Sequence, residues 1–156
     1  MAHDWSLDVA IAPEAALARI TAAINRPKKR AFGIFKIQNE YIGVVGSGEF
    51  EIWERQQRAV HALGSVRGRR GGSRLEVRFG VGRRTPALIV VFFVLYAAVA
   101  LGISRLGPEP AVTAAELMVA AVGAAILAAI FAASAARQRA DLQAFIERLF
   151  ADVPRI

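Results

Sequence analysis

The sequence predicts an α+β membrane protein, with an N-terminal amphipathic helix, a small antiparallel β-meander of about five strands, a two-span transmembrane helical hairpin and a C-terminal amphipathic helix. Two observations predict it. Of the net charge of +7, all lies in residues 1–84, which hold 15 Lys and Arg against 8 Asp and Glu, while the remaining 72 residues hold five of each. The excess apolarity, a mean hydropathy of +0.39 over 156 residues, is concentrated instead in two uncharged runs, 86–103 and 117–136. A chain both too basic and too apolar is thus two unlike parts joined end to end.

The apolar runs hold 18 and 20 residues, close to the roughly 20 residues that cross about 30 Å of hydrocarbon at about 1.5 Å per residue. A soluble protein could bury such helices only inside a large shell, and about 100 other residues are too few to supply one. Pro108, Pro110 and Gly107 break the chain between the runs, as a tight loop requires. The reading places spans at about 86–104 and 114–136, with an outer loop over 105–113. Arg83, Arg84, Arg137 and Arg139 flank the spans, whereas the loop offers Arg105 against Glu109 and Glu116. The excess of flanking arginine predicts both termini in the cytoplasm and a multi-pass protein of the cell inner membrane. Met1–Ile11 contains Asp4 and Asp8 and lacks the apolar run of a secretory leader.

Within residues 1–84, read as a cytoplasmic domain, Pro13 and Glu14 suit a first helical turn, and Leu17, Ile20 and Ile24 form an apolar stripe. Asn25, Arg26 and Pro27 end that helix. Runs rich in aromatic and β-branched residues follow at 32–37, 41–45, 50–53, 59–63 and 75–81, separated by turn-like Gln38-Asn39-Glu40, Gly46-Ser47-Gly48 and Arg69-Arg70-Gly71-Gly72-Ser73. One apolar sheet face of this size needs a lid. The N-terminal helix is one candidate. The cytoplasmic segment 137–156 is another, because Leu142, Phe145, Ile146, Leu149 and Phe150 repeat at helical spacing opposite Arg139, Asp141, Gln143, Glu147 and Arg148.

Two constellations carry the functional expectation. Lys28, Lys29, Arg30, Arg67, Arg69, Arg70, Arg83 and Arg84, with Arg74 beside them, form a basic set that would face anionic headgroups of the inner leaflet. For Arg83 and Arg84 topogenic charge is the favoured explanation, and for 67–74 a solvated turn with incidental lipid contact. Ala120, Ala124, Ala128 and Ala132 recur every four residues and would let helices pack closely, which points to a homo-oligomer through the second span; a general bias toward alanine would produce the same ladder.

Catalysis has no recognisable apparatus. His61 has no motif-fixed partner, Glu49, Glu51 and Glu54 read as a half-exposed strand, and Gly46-Ser47-Gly48 lacks the lysine and helix of a phosphate loop. With no cysteine and two histidines, His3 and His61, no metal or cofactor site is expected. Trp5 and Trp53 suit core packing or an interface, and Tyr96 within the first span needs an acceptor for its hydroxyl. The function expected is a small non-enzymatic scaffolding or sensing module at the cytoplasmic face of the inner membrane, contacting anionic lipid and a protein partner. The alternative is an oligomeric pore, disfavoured because neither span carries a mid-membrane charge. Nucleic acid, in the form of an RNA-binding domain on a membrane anchor, is the least favoured partner, because the strands lack a stacking platform.

Overall fold

The computed structural model of the chain describes residues 3–25, 40–56, 59–82, 85–104 and 113–156. They form two compact units, one of residues 1–82 with 137–156 and the other of residues 83–136.

The first unit is built on a five-stranded antiparallel sheet. Its strands are β1 (His3–Val9), β2 (Tyr41–Val45), β3 (Glu49–Glu54), β4 (Val60–Arg69) and β5 (Gly72–Val81), in the spatial order β1-β5-β4-β3-β2. Strands β2 to β5 form a meander, and β1 closes its far side with Trp5 opposite Val77 and Leu7 opposite Leu75. Turns follow the glycines: Gly48 and Gly71 have φ of 90° and 87°, a conformation a side chain disfavours. Alternation then sorts each strand into two faces. Leu7, Val9, Phe50, Ile52, Val60, Ala62, Leu75, Val77 and Phe79 are buried, while Asp4, Ser6, His61, Leu63, Ser65, Arg67, Glu76 and Arg78 occupy the alternate positions on the other face.

Two helical pieces cover the apolar face. Helix α1 (Pro13–Ala23) contributes buried Ala16 and Ile20, followed by Ile24 just past its end. The long helix α3 (Ala114–Leu149) contributes Leu142 and Ile146, followed by Phe150, all at 1% exposure or less. Buried side chains of this size are worth roughly 1.5–3 kcal/mol each, so both pieces are integral to the core. Beyond α3, Ala10 N–H donates to the Pro154 carbonyl at 2.9 Å and Val9 pairs with Arg155. The segments at the two ends of this unit therefore lie side by side.

The second unit contains helix α2 (Thr85–Ser104) and the portion of α3 up to Ala136. Phe92 and Phe93 meet Phe131 edge-on at 5.6 and 6.4 Å, and the Tyr96 hydroxyl donates to the Ala120 carbonyl at 3.1 Å. These pairings make the helices antiparallel. A Cβ on Gly123 would collide with the Tyr96 hydroxyl, so glycine at 123 makes room for the end of that side chain between the helices.

The expected fold class is corrected in three places. The N-terminal element is a strand, β1, and α1 behind it buries only two of its eleven residues, leaving Leu17 partly exposed; it is a short lid in place of an N-terminal amphipathic helix. Among the described residues one helix, α3, is long and apolar enough to cross a membrane, while the apolar stretch of α2 is the shorter Thr85–Ala100, so a two-span hairpin is not what forms. The C-terminal amphipathic segment is the last three turns of α3 and has no break before it. The expected first strand at 32–37 lies outside the described residues, and the fifth strand of the sheet is β1.

Candidate functional site

The exposed face of the sheet is the natural place for a site, because its strands align polar side chains in rows. Register places Asp4, Arg78, Leu63, Glu51 and Val44 in one row, Ser6, Glu76, Ser65 and Glu49 in the next, and Asp8, Arg74 and Arg67 in a third. All of these except Asp8 line a shallow concavity of about 820 Å³.

The arginines of this face are matched by carboxylates. Arg78 Nε donates to Asp4 at 3.0 Å, Arg69 Nη1 to Asp8 at 3.0 Å, and Arg74 Nε lies 3.6 Å from the same Asp8; Arg67 and Glu76 are 3.8 Å apart. Exposed pairs of this kind contribute about 0–1 kcal/mol each. Their larger effect is to leave little uncompensated charge on the face.

The next row holds the remaining polar constellation. His61 Nδ1 donates to Glu51 Oε1 at 2.6 Å, and its ring stacks on Trp53 with centroids 5.1 Å apart and planes 17° from parallel. Trp53 faces His61 directly in the β3–β4 register, with Glu51 on the adjoining diagonal. On the other side of His61 stands Gly80, whose missing side chain leaves open space. Sequence spacing alone does not reveal this pairing, because ten residues and a turn separate the partners.

The basic set divides between places. Arg67, Arg69 and Arg70 sit at or beside the β4–β5 turn, with Arg74 just after it; this is the opposite end of β5 from Gly82, about 30 Å away at roughly 3.3 Å per residue. Lys28, Lys29, Arg30, Arg83 and Arg84 lie outside the described residues. Of the alanine ladder, Ala120 and Ala124 are partly covered, whereas Ala128 and Ala132 are exposed. No group of three or more His, Cys, Asp or Glu able to hold a metal ion occurs among the described residues.

The second unit presents a different surface. Leu88, Val94, Leu95 and Val99 on α2, and Met118, Val119, Ile126 and Ile130 on α3, are more than half exposed, Val119 at 73%. So much contiguous apolar area marks a surface that water does not normally cover.

At the far end of α3, Arg19 donates two hydrogen bonds to Asp152 and a third, of 3.0 Å, to the Leu149 carbonyl. That bond satisfies one of the acceptors a helix C-terminus leaves open. The Arg19 guanidinium holds the Asp152 carboxyl below the usual aspartate range. Deeper in, the Val60 N–H donates to Gln138 Oε1 at 3.2 Å, and the adjacent Ala59 carbonyl accepts from Gly82 N–H at 3.0 Å. The segments on either side of the second unit are thus both bonded to the Ala59–Val60 dipeptide. Neither Arg19 nor Gln138 carries a signal in the sequence that sets it apart from other surface polar residues.

No protein-family model matches the chain, and neither any curated protein nor any solved structure is similar to it.

Proposed function

We propose that this protein is a membrane-attached, non-enzymatic scaffolding or sensing module, in which the apolar part of α3, as far as Ala136, sits in lipid and the sheet unit lies at the cytoplasmic face of the inner membrane. The observation that supports this reading is the division of α3. Up to Ala136 its large side chains are exposed and apolar, and from Gln138 onward the same helix contributes Leu142 and Ile146 to a folded core. A helix with that division carries both an apolar segment suited to hydrocarbon and a segment built into a globular core. The four flanking arginines favour the cytoplasmic side for the sheet unit, and anionic headgroups are the expected lipid contact of Arg83 and Arg84. The balanced, concave sheet face is the surface offered to a protein partner.

Membrane fractionation tests the attachment. The protein should stay in the pellet through high-salt and alkaline carbonate washes, and recovery in the supernatant would refute it. Cross-linking from the sheet face in native membranes, followed by purification in mild detergent, should recover a discrete partner; a chain recovered alone would count against the scaffolding role.

A further inference from the structure

The seam where α3 meets the β2–β3 edge gathers acidic groups from three directions around one aromatic contact. Tyr41 of β2 stacks on Phe145 of α3, with centroids 4.0 Å apart and planes at 24°. Glu54 of β3 is directly opposite Tyr41 in the sheet register. Glu40 immediately precedes Tyr41, and its carbonyl accepts the Arg55 N–H at 3.0 Å, holding it at the same strand ends. Asp141 lies four residues before Phe145, and so on the same face of α3. The cations facing this group are Arg137, 3.9 Å from Asp141, and Arg148, which acts on Tyr41.

We propose that this seam is an acid-tightened clasp, in which Glu40, Glu54 and Asp141 repel one another across the Tyr41–Phe145 stack and protonation of Glu54 draws helix and sheet together.

The charges of the site support that direction. Glu54 is held above the ordinary glutamate value, first by its burial and then by Glu40 and Asp141, with Arg137 opposing. Tyr41 is pushed up by burial first and also by Glu40, Asp141 and Glu54, against Arg148. In both groups burial is the largest cause, and the neighbouring carboxylates act in the same direction, opposed by Arg137 at Glu54 and by Arg148 at Tyr41. Because the folded carboxyl titrates above the unfolded one, the folded chain binds more protons between the two values, so stability from this group falls as the pH rises through that window and is regained on acidification.

The chain has two tyrosines, Tyr41 and Tyr96, which makes fluorotyrosine NMR of the full-length protein in neutral detergent micelles a direct readout. Between about pH 7 and pH 4, where the phenols stay protonated, the Tyr41 resonance should move through one inflection while Tyr96 stays fixed. Glu54→Gln should abolish the inflection, and Asp141→Asn should move it to lower pH. Raising the salt should also move it to lower pH, as screening of the repulsion requires. A flat Tyr41 titration, an inflection unchanged in Glu54→Gln, or equal movement at Tyr96 would overturn the clasp. The measurement needs no bilayer, so its outcome is independent of the proposed membrane attachment.

Discussion

Arg19 and Asp152, 133 residues apart, form a two-pronged ion pair that ties α1 to the turn following α3. Its pH response is opposite in sign to that of the Glu54 seam. Asp152 titrates below its unfolded value, chiefly because of the hydrogen bond from Arg19, so the pair stabilises the fold above the unfolded value and that contribution is lost as pH falls through the folded one. Both side chains are accessible to solvent, so the effect is modest. Arg19→Ala should slightly lower the thermal midpoint at neutral pH and by less at strongly acidic pH, where only the bond to the Leu149 carbonyl remains to be lost, as measured by circular dichroism across a pH series.

Leu142→Ala should behave as a core truncation, costing about 2–5 kcal/mol, because Leu142 is 1% exposed against the sheet. Ala144→Ser, on the exposed side of the same helix, should lie within about 0.5 kcal/mol of the parent. Chemical denaturation followed by Trp53 fluorescence distinguishes the two, and equal effects would show that α3 does not close the core.

Gln138→Leu removes the acceptor of the Val60 N–H while keeping an apolar body of similar size. A buried donor left without a partner costs about 1–3 kcal/mol. Amide exchange should show Val60 losing protection in this variant, with the middle of β5 unaffected.

Gly123→Leu should crowd the space between α2 and α3, since even a Cβ would collide with the Tyr96 hydroxyl. Overpacking typically costs about 1–3 kcal/mol. Combining it with Tyr96→Ala should recover part of that loss, a coupling that a double-mutant cycle in detergent measures.

The sheet unit should survive without the second unit. Gly82 and Gln138 are both bonded to Ala59–Val60, so replacing residues 83–136 by a Gly/Ser linker of about eight residues, which spans up to roughly 26 Å, should yield a soluble, cooperatively folding protein. An aggregated or unfolded product would show that the boundary lies elsewhere.

Much of the sheet was legible because 41–45 and 50–53 are rich in aromatic and β-branched residues between turn-like segments, and 75–81 also alternates apolar and polar residues, which follows directly from burying one face. The same alternation is present in Trp5, Leu7 and Val9, but no strand was read there, and the charges of Asp4 and Asp8 find their counterparts in Arg78, Arg69 and Arg74 only across the sheet. Pairing with a strand some seventy residues later is a long-range property that local patterning does not encode. The apolarity of 86–103 was equally plain, yet composition does not fix how much of it becomes helix of spanning length, and the described apolar stretch ends at Ala100. The basic set illustrates the same limit. Charge counted along the chain suggested one electropositive surface, whereas in the fold three carboxylates, Asp4, Asp8 and Glu76, stand beside Arg67, Arg69, Arg74 and Arg78, with Asp8 shared by two of them. His61 acquired its partner, Glu51, in the same way.

The order in which the chain is made gives the divided α3 a further importance. Every strand of the sheet has been synthesised by residue 81, but the helical turns bearing Leu142, Ile146 and Phe150 follow only after the whole apolar unit. A nascent chain therefore carries a half-covered sheet, its apolar face open on one side, throughout the time that residues 83–136 emerge from the ribosome. Completion of the globular unit thereby follows synthesis of the apolar one, and the interval between them is when the chain is open to misassembly.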